Sequence, residues 1–270
     1  MKRVALLVAV IVVLAVLAYG FLPCLLQPTP EQLLDKVAKA YATAEDYTMR
    51  CDMVQERDIG GMRMKQKGPG TLVFKRPNKL YVASGSEGDT GETVTICDGE
   101  NLYEYVRAWK QCRKSDAPEK VSQIDRVQEL RKWGETIDTY SLLDGVALKG
   151  KIKSATLEPV KPFRRESLHV LHVTCNDGSE ETLWIRKHDL LIHKSEWRPS
   201  MGAGDGEPGE DAAAVEGTDG MVAQMLGNIK LTITQTAREL SVNSGVEDEQ
   251  FAWNTPEGVK VVDEFDVPFT

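Results

Sequence analysis

Histidines, cysteines and carboxylates are where chemistry would have to begin, and in this chain they do not converge. The histidines are His169, His172, His188 and His193. His169 and His172 stand three apart in a run of strand-like alternation, which sends them to opposite faces. His188 and His193 flank a turn and a strand, so no zinc site, which needs imidazoles or thiolates meeting at one point, is expected. The chain contains no GxSxG, HExxH or P-loop pattern and no CxxC. Cys51, Cys97, Cys112 and Cys175 allow three full pairings in an oxidising compartment, and they read equally well as buried thiols behaving as small apolar residues. Cys97 and Cys112 flank a shared middle strand, two strand spacings apart, beyond the reach of a direct bond. No catalytic residue, metal or cofactor is expected, and the chain reads as a binding protein rather than an enzyme.

One cation stands out by position. In "TLVFKRPNKLYV", Thr71 to Val82, two apolar runs alternate on either side of Arg76-Pro77-Asn78. Pro77 cannot donate to a sheet ladder and Asn78 tolerates turn geometry, which predicts strand, corner, strand. A corner does not require an arginine, so Arg76 is a candidate functional residue.

The elements that would position it follow from periodicity. "TPEQLLDKVAKAYATAEDY" carries Thr29 as N-cap, Pro30 in the first helical position and Gln32 to complete a capping box. Leu33, Leu34, Val37, Ala38 and Tyr41 then repeat at helical spacing, giving one apolar face. From Tyr47 to about Lys114 the period is two, with turns at "DIGG" and "CDGEN", which predicts a meander of about six antiparallel strands. Val121, Ile124, Val127 and Leu130 predict a second amphipathic helix, and "TYSLLDGVALKG" a short helical or mixed piece. Strands resume over 154–160, 165–175, 181–186 and 190–198, then over "GNIKLTITQTARELSV", and "FAWNTPEGVKVV" closes the chain. Nothing alternates strand and helix as a parallel fold would. The fold class is mainly β, an α+β arrangement: an open antiparallel half-barrel of about ten or eleven strands, curled by its twist, with two or three helices covering the concave face.

The 270 residues carry a formal net charge of -8, which argues against a nucleic-acid partner. Charge is uneven. Gly60 to Leu80 holds Arg63, Lys65, Lys67, Lys75, Arg76 and Lys79 without an acid, which reads either as solvated strand faces or as a basic rim facing a membrane surface. "PSMGAGDGEPGEDAAAVEGTDG", about residues 199–220, carries six carboxylates and no base and is expected to be disordered. At the N-terminus, Lys2-Arg3 precedes the 23 uncharged residues Val4 to Leu26. Residues 1–28 are read as a signal peptide, with "AYG" at Ala18 to Gly20 offering small residues for cleavage, or as a membrane anchor. Pro23 before Cys24 argues against lipidation there. Residues 29–270 form the domain.

"GPGTLVFKRPNKLYV", "VTICDGENLYEYVRAWKQCRK" and "FAWNTPEGVKVV" resemble, in this order and spacing, the LolA-type periplasmic lipoprotein carriers and lipoprotein-sorting proteins. The resemblance covers roughly residues 29–265 and is strongest over 68–114. It implies an incomplete β-barrel closed by helices, whose apolar interior holds the acyl chains of a lipoprotein or lipid on the periplasmic side of a bacterial cell envelope. It further implies that Arg76 sits at the cavity mouth and hydrogen-bonds the lid. Alternation supplies the inward candidates: Met49, Met53, Leu72, Phe74, Leu80, Val82, Val94, Ile96, Tyr103, Tyr105, Ile229, Leu231 and Ile233, the two tyrosines being placed inward on the expectation that Glu104 faces water. The chain is read as a monomer. The long acidic loop and an uncleaved anchor would instead suit a tethered regulatory or sensor module binding another envelope protein.

Overall fold

A computed structural model describes residues 10–14, 16, 26–85, 92–124, 139–146, 150–161, 166–200 and 229–266. The first ordered element of the domain is α1, Pro30–Ala42. Thr29 Oγ1 accepts from the Gln32 N–H at 3.2 Å and Gln32 Oε1 accepts from the Thr29 N–H at 3.1 Å, the reciprocal box that satisfies two orphan donors of the first turn. The predicted stripe is buried, with Leu33, Leu34, Val37 and Tyr41 each 5% exposed or less.

The strands are β1 (Asp46–Ile59), β2 (Met62–Lys75), β3 (Lys79–Ser84), β4 (Thr93–Cys97), β5 (Asn101–Val106), β6 (Gln111–Asp116), β7 (Ile152–Leu157), β8 (Leu168–Cys175), β9 (Glu180–Arg186), β10 (Ile192–Arg198), β11 (Ile229–Val242) and β12 (Lys260–Val262). They form one sheet in the order β12-β6-β5-β4-β3-β2-β1-β11-β10-β9-β8-β7, which does not close on itself. Among the described residues twelve strands rather than ten or eleven are present, because the tail adds β12 alongside β6. That pair is parallel, an exception in an otherwise antiparallel sheet. Two meanders, β1 to β6 and β7 to β10, meet through the 14-residue strands β1 and β11.

A short helix α2, Thr139–Leu143, packs beside α1 with Tyr140, Leu142 and Leu143 buried. Val121–Gln123 forms a 3-10 turn. Val127 and Leu130 of the predicted second helix lie outside the described residues, as does the acidic stretch from residue 201. One core cluster joins Leu33, Val37 and Tyr41 of α1 and Leu142 and Leu143 of α2 to Tyr47, Phe74, Leu80, Leu102, Leu171, Leu183 and Ile185 of the sheet. The roof therefore spans both meanders. On the opposite, convex face a smaller cluster packs Val246 and Phe251 of the tail on Val73 and Tyr81.

The distinction between faces corrects part of the alternation reading. Paired residues of antiparallel strands project to the same side. The rows Tyr47-Phe74-Leu80-Cys97-Leu102 and Met49-Leu72-Val82-Thr95-Glu104 point toward the roof. Val94 and Ile96 pair with Ala83 and Tyr81 on the other face, and Tyr105 and Tyr103 with them. Val94, Ile96, Tyr103 and Tyr105 therefore face outward from the concavity. The error lies in Glu104, which faces inward at 1% exposure and takes a hydrogen bond of 2.7 Å from Arg113 Nε. The tail then gives the convex face an apolar layer of its own, with Trp253 at 5.8 Å from the rings of both Tyr103 and Tyr105.

Candidate functional site

The corner between β2 and β3 places Arg76 under the ends of both roof helices. Its Nε donates to the Ala44 carbonyl at 2.8 Å, and Nη2 donates to the Leu143 carbonyl at 2.8 Å and to that of Ala42. Ala42 ends α1, Leu143 ends α2, and these terminal carbonyls lack intrahelical partners. A planar guanidinium that stays charged can serve several of them at once. The guanidinium carbon also lies 5.7 Å from the centroid of the Phe74 ring, a cation over the aromatic floor of the core. The neighbouring Asn78 donates to the Pro118 carbonyl at 2.8 Å, tying the same corner to the segment that enters the 3-10 turn. Arg76 is thus a clasp between the first meander and the roof.

The second meander holds the roof by a different group. The Tyr41 hydroxyl accepts from the Ile192 N–H at 3.1 Å, and its ring lies 5.4 Å from that of Tyr47. Burial pushes the Tyr41 phenol up to about 12 and raises that of Tyr47 as well, so both remain neutral hydrogen-bonding groups. Tyr47 donates to the Met49 thioether at 3.4 Å. Beside these rings a cleft of about 320 Å³, open mouth included, is lined by Tyr41, Tyr47, Met49, Leu183, Ile192, Ser195 and Gln235, among others.

Of the sequence candidates, Met49, Leu72, Phe74 and Leu80 lie in the packed cluster under the roof, with Met53 and Val82 against it. Ile233 and Leu231 continue the same face, pairing with Gln55 and Arg57. The backbone of Ile229 pairs with Ile59; its side chain lies outside the described part of the molecule. Only Met49 of these candidates borders the cleft. Most of the others that line it, among them Tyr41, Leu183, Ile192 and Gln235, come from α1 and from strands far along the chain, which no local pattern joins to Met49. Tyr41 is the last member of the predicted helical stripe of α1.

The concavity also carries polar groups: Thr139, Glu181, His193, Lys194, Ser195 and Gln235 border the cleft, and Gln55 and Glu181 are each 2% exposed. Burial raises the Glu104 carboxyl above its usual range despite the Arg113 guanidinium, and Glu104 Oε1 has no hydrogen-bond partner among the described residues. His169 shares the inner face, paired with Ile185, whereas His172 points out and meets Glu158 at 3.1 Å. Burial holds His169 below its usual value. The four described cysteines are free thiols. Cys97 pairs with inward Leu80, and Cys112 with outward Tyr105, so the sheet itself separates them. Among the described residues, no group of three or more histidines, cysteines and carboxylates is arranged to hold a metal.

No family model and no curated protein matches the sequence. Solved structures similar to the chain include a LolA superfamily protein from Nitrosomonas europaea, at 12% identity and TM-score 0.32 over 84% of this chain and 99% of that one. Another is an outer membrane lipoprotein-sorting protein domain from Vibrio parahaemolyticus, at 11% identity and TM-score 0.34 over 81% and 94%. A third is the Pseudomonas aeruginosa MucA/MucB complex, at 12% identity and TM-score 0.37 over 83% of this chain and 61% of that one.

Proposed function

We propose that the protein is an exported, non-enzymatic carrier that holds the acyl chains of a lipid or lipoprotein between the concave sheet and its helical roof. The observation that carries this reading is the Arg76 clasp, three hydrogen bonds from one strand corner to the ends of two separate roof elements. In the clasped state the cleft encloses only about 20 Å³, room for about one water, far below the roughly 300–1,000 Å³ usual for ligand pockets. A long chain enters when the clasp lets go. Hydrogen bonds from a charged donor contribute about 1.5–3 kcal/mol each, and burying an acyl chain contributes about 0.8 kcal/mol per methylene. A chain of a dozen methylenes, about 10 kcal/mol by that measure, can outweigh the clasp, and Arg76 closes again once the chain departs. Met49 and Met53 suit such a wall because thioether side chains repack around different guests.

The test is Arg76→Leu. The variant should remain folded, at a cost of up to about 1–3 kcal/mol for each carbonyl it leaves without a partner, and should exchange a fluorescent fatty-acyl probe severalfold faster than the parent. Unchanged exchange in a folded variant removes Arg76 from the mechanism. A second reading, a membrane-tethered module that binds another envelope protein, is favoured by Val10, Ile11, Val12, Val13, Leu14 and Val16, each at least 50% exposed and so not part of the core. No helix among the described residues is long and apolar enough to cross a membrane. Finding Lys2 and Arg3 intact on the mature protein would support that second reading.

A further inference from the structure

The β1–β2 hairpin runs beyond its neighbour β3, which pairs with β2 only over Gly70–Lys75. Its far end turns at Gly60 and Gly61, both at positive φ, where the Gly61 N–H donates to Asp58 at 2.9 Å. Past the turn the hairpin exposes apolar side chains that a solvated tip does not need: Met62 is 70% exposed, Met64 46% and Ile59 40%. Ile59 pairs with Met62 and Arg57 with Met64, so all of these share the concave-side face that carries Met53 and Leu231 further in. The outer face carries Arg63, Lys65, Lys67 and Lys230. Counting Arg57, the tip holds five cations against two carboxylates, Glu56 and Asp58, in a chain whose net charge is -8. Both carboxylates are already paired, with Lys65 and Arg63; among the described residues Arg57 and Lys67 make no ion pair, and Lys230 makes none although it stands opposite Asp58 in register.

We infer that this hairpin tip docks on an anionic lipid bilayer, with Ile59, Met62 and Met64 entering the headgroup boundary and the surrounding cations over the phosphates. Unbranched thioether side chains and one aliphatic residue insert without a shaped pocket, and each nearby lysine or arginine strengthens attraction to an anionic surface about fivefold. A protein partner fits less well, because a two-methionine turn covers far less than the roughly 1,000 Å² that a specific protein interface buries. The docking stands on the tip alone. Its use does rest on the acyl-binding reading: the face that meets the bilayer runs past Arg57 and the Gln55–Gln66 pair to Met53 and the wall under the roof, and a chain leaving the membrane would travel along it.

The test uses the full chain bound to vesicles of phosphatidylcholine alone or of phosphatidylcholine mixed with phosphatidylglycerol, so that any contribution of the N-terminal apolar segment is common to both. Amide hydrogen exchange over residues 59–67 should slow about tenfold on the anionic vesicles relative to the neutral ones. It should return to the neutral rate in the Met62→Asp, Met64→Asp double variant, whose exposed positions leave the thermal midpoint unchanged. Equal exchange on both vesicles, or protection that survives in the double variant, overturns the docking. So does equal protection by soluble polyglutamate, which would mark a general acid-binding surface. Acyl-probe affinity of the double variant in lipid-free solution should match the parent while probe uptake from anionic vesicles slows. Failure of the parent to bind the probe at all would remove the carrier reading and leave the vesicle protection standing.

Discussion

The two halves of the β1–β2 hairpin share one backbone and differ in everything packed on it. From Asp46 to Ile59, β1 pairs with β2 without a register shift. Yet Tyr47, Met49, Leu72 and Phe74 at the base are nearly inaccessible, whereas Ile59, Met62 and Met64 at the tip are not. The base is roofed by α1 and α2 on one side and backed by Val246 and Phe251 on the other. Among the described residues nothing comparable covers the tip. Strand pairing sets the shape of this molecule, then, and the layers added by helix and tail decide which stretches of the same strand become core and which remain available for contact.

The largest effect that would sharpen this contrast is Phe74→Ala, at a side chain with no exposed surface. It should cost about 3–5 kcal/mol by denaturant unfolding, against at most about 0.5 kcal/mol for Met62→Ala at the tip. Similar losses at the two sites would erase the distinction. Next comes Gly70→Ala, midway along the hairpin. Its new Cβ would lie 2.8 Å from Cys51 Sγ and 3.3 Å from Met53 Sδ, an overpacking worth about 1–3 kcal/mol and visible as a lowered thermal midpoint. A neutral result would show that the strand pair is looser there than its register implies.

The smallest effect concerns how the tail is seated behind the base. Burial pushes the Asp46 carboxyl up, but the N–H groups of Ser244, Gly245 and Val246 and the Ser244 hydroxyl outweigh it and hold the group below its ordinary 3.8. A depressed carboxylate contributes stability that is fully present above the ordinary value and is lost as the pH falls through the folded one. Acid titration should therefore release the tail from the convex face below about pH 3.8, read as a change in Trp253 fluorescence as its stacking on Tyr103 is lost. In Asp46→Ala the tail should already be loosened at neutral pH, at a cost of about 1–2 kcal/mol. A variant that titrates like the parent would place the seat elsewhere.

Much of this arrangement was legible in the residues. Thr29, Pro30 and Gln32 spell out the start of α1, because capping is local chemistry; the Gly60-Gly61 turn and the Arg76 corner are local in the same sense. The strand ladder of β1 to β6 followed from period-two patterning. What failed was assigning faces on β4 and β5. Alternation tells which residues share a side, but not which side is inward when both are covered. Here a buried Glu104–Arg113 pair occupies the side expected to be apolar, and a tail some 150 residues later covers the other. The cleft residues Leu183, Ile192 and Gln235 were hidden for a related reason: they become neighbours of Tyr41 only through the β1–β11 seam, a contact that no local pattern encodes.

That seam bears on how the chain reaches its final form. Asp52 finds Thr236 as partner, and Gln55 finds Ile233, so one side of β1 stays open until nearly the whole polypeptide has emerged. Pairings between such distant segments carry a large loop-closure entropy and slow assembly. A chain made N-terminus first would present β1 as an unfinished edge, prone to pairing with other chains, through most of its synthesis. Refolding from denaturant should accordingly be slow and sensitive to concentration, with closure of β1 against β11 as its last step.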